Sequence, residues 1–136
     1  MIPSTRLKVP LPPIKSVGVD VVSLARVRTF WMRHHDRLGK ILTPVEEKFL
    51  QHKAEPWRGL ARLFSAKEAV FKSLNLPWFG IDGFRMIEVS LGSCLTLPAQ
   101  AKLSGILKKQ VKGRLSRWSV QFIELKEHVI ALVVAG

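Results

Sequence analysis

Arg62-Leu63-Phe64-Ser65-Ala66-Lys67-Glu68-Ala69-Val70-Phe71-Lys72-Ser73-Leu74 is the stretch on which the reading of this chain turns. At about 100° per residue, Leu63, Ala66, Val70 and Leu74 fall on one side of a helix, and Ser65, Glu68 and Lys72 fall together on another. The pattern is that of an amphipathic helix with one exception. Lys67 projects between Phe71 and Leu74 on the apolar side, where an ammonium is costly unless it snorkels or meets an anion. Glu68 and Lys72, four residues apart, share an edge, and the plainest reading of such a pair is a surface salt bridge.

Outward from this helix, the chain has the makings of one globular unit. Its 136 residues are enough to bury a core without staples, and 47% of them are hydrophobic. The expected division is an extended, proline-rich arm over residues 1–15, carrying Pro3, Pro10, Pro12 and Pro13, followed by a single domain over residues 16–136. Lysine and arginine number 22 against 10 acids, a net charge of +12 that attracts polyanions without choosing among them. A lone cysteine, Cys94, excludes an intrachain disulfide and a multi-cysteine zinc site. No apolar run approaches the ~18 residues of a membrane span, and no signal-like start is present, so no membrane and a cytoplasmic location are expected.

Upstream of the central helix, Val17-Gly18-Val19-Asp20-Val21-Val22 alternates as a strand, with the valines 17, 19 and 21 on one face and Asp20 opposite. An acid in a valine-rich strand calls for a partner, either the cap of the next helix or a ligand. Ser23 is the expected N-cap of a helix to about Leu38, with Leu24, Val27, Phe30 and Trp31 toward the core and Arg26, Arg28, Arg33 and Arg37 forming a basic outer surface. Thr43-Pro44-Val45-Glu46 has capping-box spacing with proline at the first helical position, which gives Glu46 a structural task. Glu55 to Gly59 reads as a connection, with the central helix starting near Leu60.

Downstream, Pro77 and Asp82-Gly83 break regular structure. Phe84 to Leu91 reads as a strand, a short strand is expected near Cys94 to Leu97, and Pro98 is expected to start a helix with a Leu103, Ile106, Leu107 stripe. Trp118 to Leu125 and His128 to Ala135 form an expected hairpin around Lys126-Glu127. Trp118, Val120, Phe122 and Glu124 share parity, so Glu124 continues an apolar face and is either a strand-end acid turning to solvent or a site carboxylate. The four histidines lack metal-ligand spacing, and no phosphate-cradling glycine loop is present.

Gly18-Val19-Asp20-Val21-Val22-Ser23-Leu24-Ala25-Arg26-Val27, then Ile41-Leu42-Thr43 with Glu46, then Phe64-Ser65-Ala66-Lys67-Glu68-Ala69 with Lys72, resemble in order and spacing the holo-acyl-carrier-protein synthase family of 4'-phosphopantetheinyl transferases. The resemblance runs from about Val17 to Ala135. It implies an α+β fold, an antiparallel sheet packed against helices, a homotrimer with sites between subunits, and transfer of phosphopantetheine from coenzyme A to a serine of an acidic acyl carrier protein. By the same resemblance, Asp20 and Glu68 hold Mg²⁺, Lys72 faces the coenzyme A phosphates with Lys67 and Arg62 beside it, and Arg26, Arg28 and Arg33 meet the carrier protein. Glu68, Lys72 and Glu124 are the implied catalytic groups. A hard cation with two carboxylates, water and substrate phosphate suits that chemistry.

The chain departs from the family pattern in three places. Asn75-Leu76-Pro77 replaces a Gly-Thr-Gly-like turn, Gln121-Phe122-Ile123-Glu124 replaces a Ser-x-Ser-His strand, and Leu63 stands where an arginine is usual, with Arg62 one position earlier. Two competing readings remain beside the enzyme: a non-catalytic homologue that binds an acidic carrier protein, and a basic nucleic-acid binder. Nucleic acid is not expected, because the cations are not interleaved with aromatics in any recognition motif.

Overall fold

The computed structural model describes residues 13–77, 80–91 and 98–136. Among them, one antiparallel sheet carries five strands in the order β1-β5-β4-β3-β2, with β1 Ser16–Ser23, β2 Ile87–Ser90, β3 Ala99–Leu103, β4 Trp118–Glu124 and β5 His128–Ala135. The helices are α1 Leu24–His34, α2 Pro44–Leu50, α3 Pro56–Leu74 and α4 Gly105–Val111. This is the α+β arrangement of a sheet with its helices packed against it. The expected short strand near Cys94 to Leu97 and most of the N-terminal arm lie outside the described residues.

Helix α3 is the spine of the core. Leu60, Leu63, Ala66, Val70 and Leu74 are buried along its apolar stripe, each large side chain contributing about 1.5–3 kcal/mol of burial. It starts earlier than the sequence suggests: Pro56 occupies the first helical turn, where its missing N–H costs nothing. Asn75 closes the helix in the left-handed conformation at φ 55°. Across from it, Gly18 of β1 lies so close that an added Cβ would sit 1.9 Å from the Ala69 carbonyl oxygen. Strand and helix can approach this closely only because residue 18 has no side chain.

Three local readings are corrected. Helix α1 ends at His34 and a 3-10 helix over His35–Lys40 replaces its expected last turn. Another 3-10 helix, Ile81–Met86, takes the first part of the strand expected from Phe84. The helix expected from Pro98 is a strand followed by a helix: Ala99 and Leu103 are buried while Gln100 and Lys102 are exposed, the two-residue period of β3, and only from Gly105 does the helical stripe of Leu107 and Val111 begin. The Ser23 cap, the capping box and the final hairpin form where the sequence places them.

Sheet polarity is the less expected feature. The Asp20 face of β1 looks toward α3, and the valine face looks away, leaving Val17, Val19 and Val21 at 57%, 48% and 55% exposure. Ile123 on β4 is exposed as well, and Ile130, Leu132 and Val134 of β5 are only half-buried. Helix α1, expected to press Leu24, Val27, Phe30 and Trp31 into the core, has no fully buried residue.

Candidate active site

The close β1 to α3 contact at Gly18 sets the site. Two residues along β1, Asp20 faces α3, where Lys72 donates to its Oδ1 at 2.9 Å and to the Val19 carbonyl at 3.2 Å. The sequence left Lys72 as a surface partner of Glu68 on the same helix; its close ion pair is instead with Asp20 across the strand. Glu68 lies one turn back on α3, and burial, then the neighbouring Asp20 charge, push its carboxyl above the usual range, with Lys72 partly offsetting them. Two acids far apart in sequence and one lysine are thereby gathered into one cluster.

The acids open onto a cavity of about 860 Å³ between β1, α1 and α3. Asp20, Ser23, Arg26, Glu68 and His128 supply its polar side chains, and Val27, Phe30, Ile41, Leu60 and Phe64 are among its apolar ones. Apolar walls with a few convergent charges describe a ligand site. Among the described residues no cluster of three or more histidine, cysteine or acidic side chains is arranged to hold a metal ion. The two carboxylates on the cavity wall, Asp20 and Glu68, nonetheless suit a hard cation that takes its remaining oxygens from water and a substrate phosphate.

The other residues singled out in the sequence go elsewhere. Lys67 does meet an anion, but an internal one: its ammonium binds Glu46 Oε1 at 2.6 Å, the Phe84 carbonyl at 2.8 Å and the Ile87 carbonyl. Glu46 in turn accepts from the Thr43 and Val89 amides at 2.9 Å each. Both side chains are fully buried, and burial pulls the Lys67 pKa below the ordinary lysine value while Glu46 opposes the shift. Lys67 has no donor left and no path to solvent, so its expected role in holding coenzyme A is corrected to that of a core anchor.

Arg62 and Glu124 form a two-bond fork, at 2.7 and 2.8 Å, between α3 and the end of β4. Hydrogen bonding to Arg62 holds the Glu124 carboxyl below its usual range, and the same bond raises Arg62. Neither residue lines the cavity. On α1, Arg26 reaches the cavity mouth, Arg33 is exposed in the last turn, and Arg28 lies 4.8 Å over the Trp57 ring. Gly18 is the residue that sequence reasoning undervalued. Its place two positions before the acid was the available signal.

Comparison with known proteins identifies the family and the fold. The family model of the 4'-phosphopantetheinyl transferase superfamily matches residues 16–133. The chain belongs to this superfamily of transferases, and within it to the holo-acyl-carrier-protein synthase type. It is 47% identical over 108 residues to the holo-[acyl-carrier-protein] synthase of Dechloromonas aromatica, covering 76% of this chain and 86% of that one. The crystal structure of the Neisseria meningitidis synthase superposes with a TM-score of 0.76 at 29% identity, covering 90% of this chain and 98% of the other. The Helicobacter pylori synthase in complex with coenzyme A has a TM-score of 0.71 at 24% identity over 88% of this chain and 99% of that one, a likeness of fold alone.

Proposed function

We propose that this protein transfers 4'-phosphopantetheine from coenzyme A to a serine hydroxyl of an acidic acyl carrier protein, with Mg²⁺ held by Asp20 and Glu68. The observation that carries the reading is the pair of acids, Asp20 and Glu68, on the wall of an apolar cavity, with Lys72 bonded to Asp20 behind them. Coenzyme A has the complementary division, an anionic diphosphate joined to an uncharged pantetheine arm. Phe64, Leu60 and Ile41 can cover the arm, and the ammonium of Lys72 can meet the diphosphate. In the reaction the serine oxygen forms a bond to the phosphorus bearing pantetheine, the diphosphate bridge breaks, adenosine 3',5'-bisphosphate leaves, and the proton of the serine hydroxyl passes to water. Asp20 and Glu68 would hold the divalent ion, which would supply neutralising charge to the phosphate oxygens. Lys72 adds positive charge on the same side, and the cavity wall restricts water.

Arg26 at the cavity mouth and Arg33 farther along α1, with Phe30 and Met32 exposed beside them, form a surface suited to an acidic carrier. Arg28, stacked on Trp57, is better placed to hold α1 against α3 than to reach a partner. The Arg62 and Glu124 fork has no step in this scheme. A homotrimer is part of the proposal: the valine face of β1, continued by Ile130, Leu132 and Val134, and an α1 without buried residues are surfaces that subunit contact would cover. Light scattering should give three times the chain mass, and a monomer at working concentration rejects that part.

Incubation with coenzyme A, Mg²⁺ and the apo carrier proteins of the source organism tests the reaction. At least one carrier should gain the mass of phosphopantetheine. If none does, the transferase reading fails.

A further inference from the structure

Among the charged groups of the cluster, Lys72 occupies the position of greatest consequence. Its ammonium is bonded to Asp20 Oδ1 and to the Val19 carbonyl, and Glu68 lies one turn earlier on the same helix. It is therefore the counter-ion of one of the two carboxylates that a divalent ion would use, one helical turn from the other. The side chain of Lys72 is 52% exposed while that of Asp20 is 14% exposed, so the lysine can leave and the acid cannot. One of its three donors remains beyond the two protein contacts, on a flexible four-carbon stem that can swing without moving the helix.

We propose that Lys72 is a tethered counter-ion that guards the acid pair, yielding it to a divalent cation as the diphosphate of the substrate draws the ammonium away. The inference rests on the assignment of Asp20 and Glu68 as metal ligands. An ammonium and a divalent cation on the same carboxylates repel one another, so metal entering alone must first displace the lysine without giving it a new partner. A diphosphate provides that partner. Metal and diphosphate binding are then linked, each raising the affinity for the other by the same factor. The arrangement would also keep Asp20 from lying without a counter-ion between turnovers.

Binding of Mn²⁺, followed by the loss of the free-ion electron paramagnetic resonance signal, tests this without reference to turnover. Titrations are run on the wild type, Lys72→Met and Asp20→Asn, with and without coenzyme A, and corrected for Mn²⁺ bound by coenzyme A itself. The expected result is that Lys72→Met binds Mn²⁺ alone about fivefold or more tighter than the wild type, and that coenzyme A raises Mn²⁺ affinity in the wild type much more than in the variant. The half-exposed position of Lys72 allows Lys72→Met to fold, which an unchanged thermal transition verifies. If Asp20→Asn abolishes binding but Lys72→Met binds Mn²⁺ no more tightly than the wild type, the guarding role is overturned and the metal assignment stands. If Mn²⁺ binds none of the proteins, or binds Asp20→Asn as well as the wild type, both fall.

Discussion

Lys67 and Glu68 are consecutive on one helix and end in opposite circumstances. The ammonium of Lys67 has three oxygen partners in the core, and its counter-ion Glu46 is held by two backbone amides. Glu68, about 100° farther round the helix, faces a cavity beside a second acid and a lysine whose donors are not all used. The first cluster joins α2, α3 and β2 with every polar group matched. The second has charges in excess of its partners. A saturated ion pair contributes rigidity and specificity, whereas an unsaturated one retains the capacity to bind something else.

The sharpest way to break this comparison is Lys67→Met. It leaves the Glu46 carboxylate buried without its counter-ion, and a loss of about 3–5 kcal/mol is expected in denaturant unfolding. Adding Glu46→Gln should recover much of that loss, because no unpaired buried charge remains. If Lys67→Met instead unfolds like the wild type and only weakens coenzyme A binding, Lys67 belongs to the site and the division between the two clusters fails.

Next in size is Gly18→Ala, which tests how the clusters came to be separated. The new methyl would overlap the Ala69 carbonyl, part of the α3 backbone, so strand and helix must part. A cost of about 1–3 kcal/mol is expected. Because Asp20 and Lys72 sit on the two elements that move, transfer should fall further than stability alone explains. Measuring turnover well below the thermal transition separates the two effects.

How far the sequence could carry this picture differs by element. The capping box at Thr43 to Glu46 and the Ser23 cap are local, decided within a few residues, and both were legible. The need of Lys67 for an anion was legible from helix geometry, but its identity was not. Nothing in the pattern says that Glu46, already engaged at a helix start, would take a second task across the core. Strand β3 was misread because alanine is indifferent to period, so that Pro98, Leu103, Ile106 and Leu107 dominate and imitate a helix. The outward turn of the valine face was hidden for another reason. Alternation shows that two faces differ, and only the close approach of α3 to Gly18 determines which one is covered.

Glu68→Gln probes the open cluster and should move stability the other way. A carboxyl whose folded pKa is raised binds protons more readily in the native state than in the unfolded chain. Its ionised form therefore opposes folding, by an amount that grows as pH rises through the interval between the unfolded and folded values. At neutral pH, Glu68→Gln should melt slightly higher than the wild type while losing transfer. The difference should shrink as pH falls through the folded pKa of Glu68 and vanish below the ordinary carboxylate range. Equal melting at all pH values would show that Glu68 is not under the pressure that burial and Asp20 place on it.

The smallest effect is expected at the Arg62 and Glu124 fork, which lies between the two extremes. It is fully paired, as in the core, yet partly exposed, as at the site. Solvent screening limits its coupling in an Arg62→Ala, Glu124→Ala double-mutant cycle to about 1 kcal/mol or less, and high salt should reduce it. Because the Glu124 pKa is depressed, the contribution is present at pH values above the ordinary carboxylate range and is lost as pH falls through the folded value. Pairing also makes Glu124 a weak proton acceptor. A Glu124→Gln variant that loses transfer by about tenfold or more, with stability barely changed, would put the fork into the reaction after all. It would also mean that saturation of charge does not by itself distinguish framework from chemistry here.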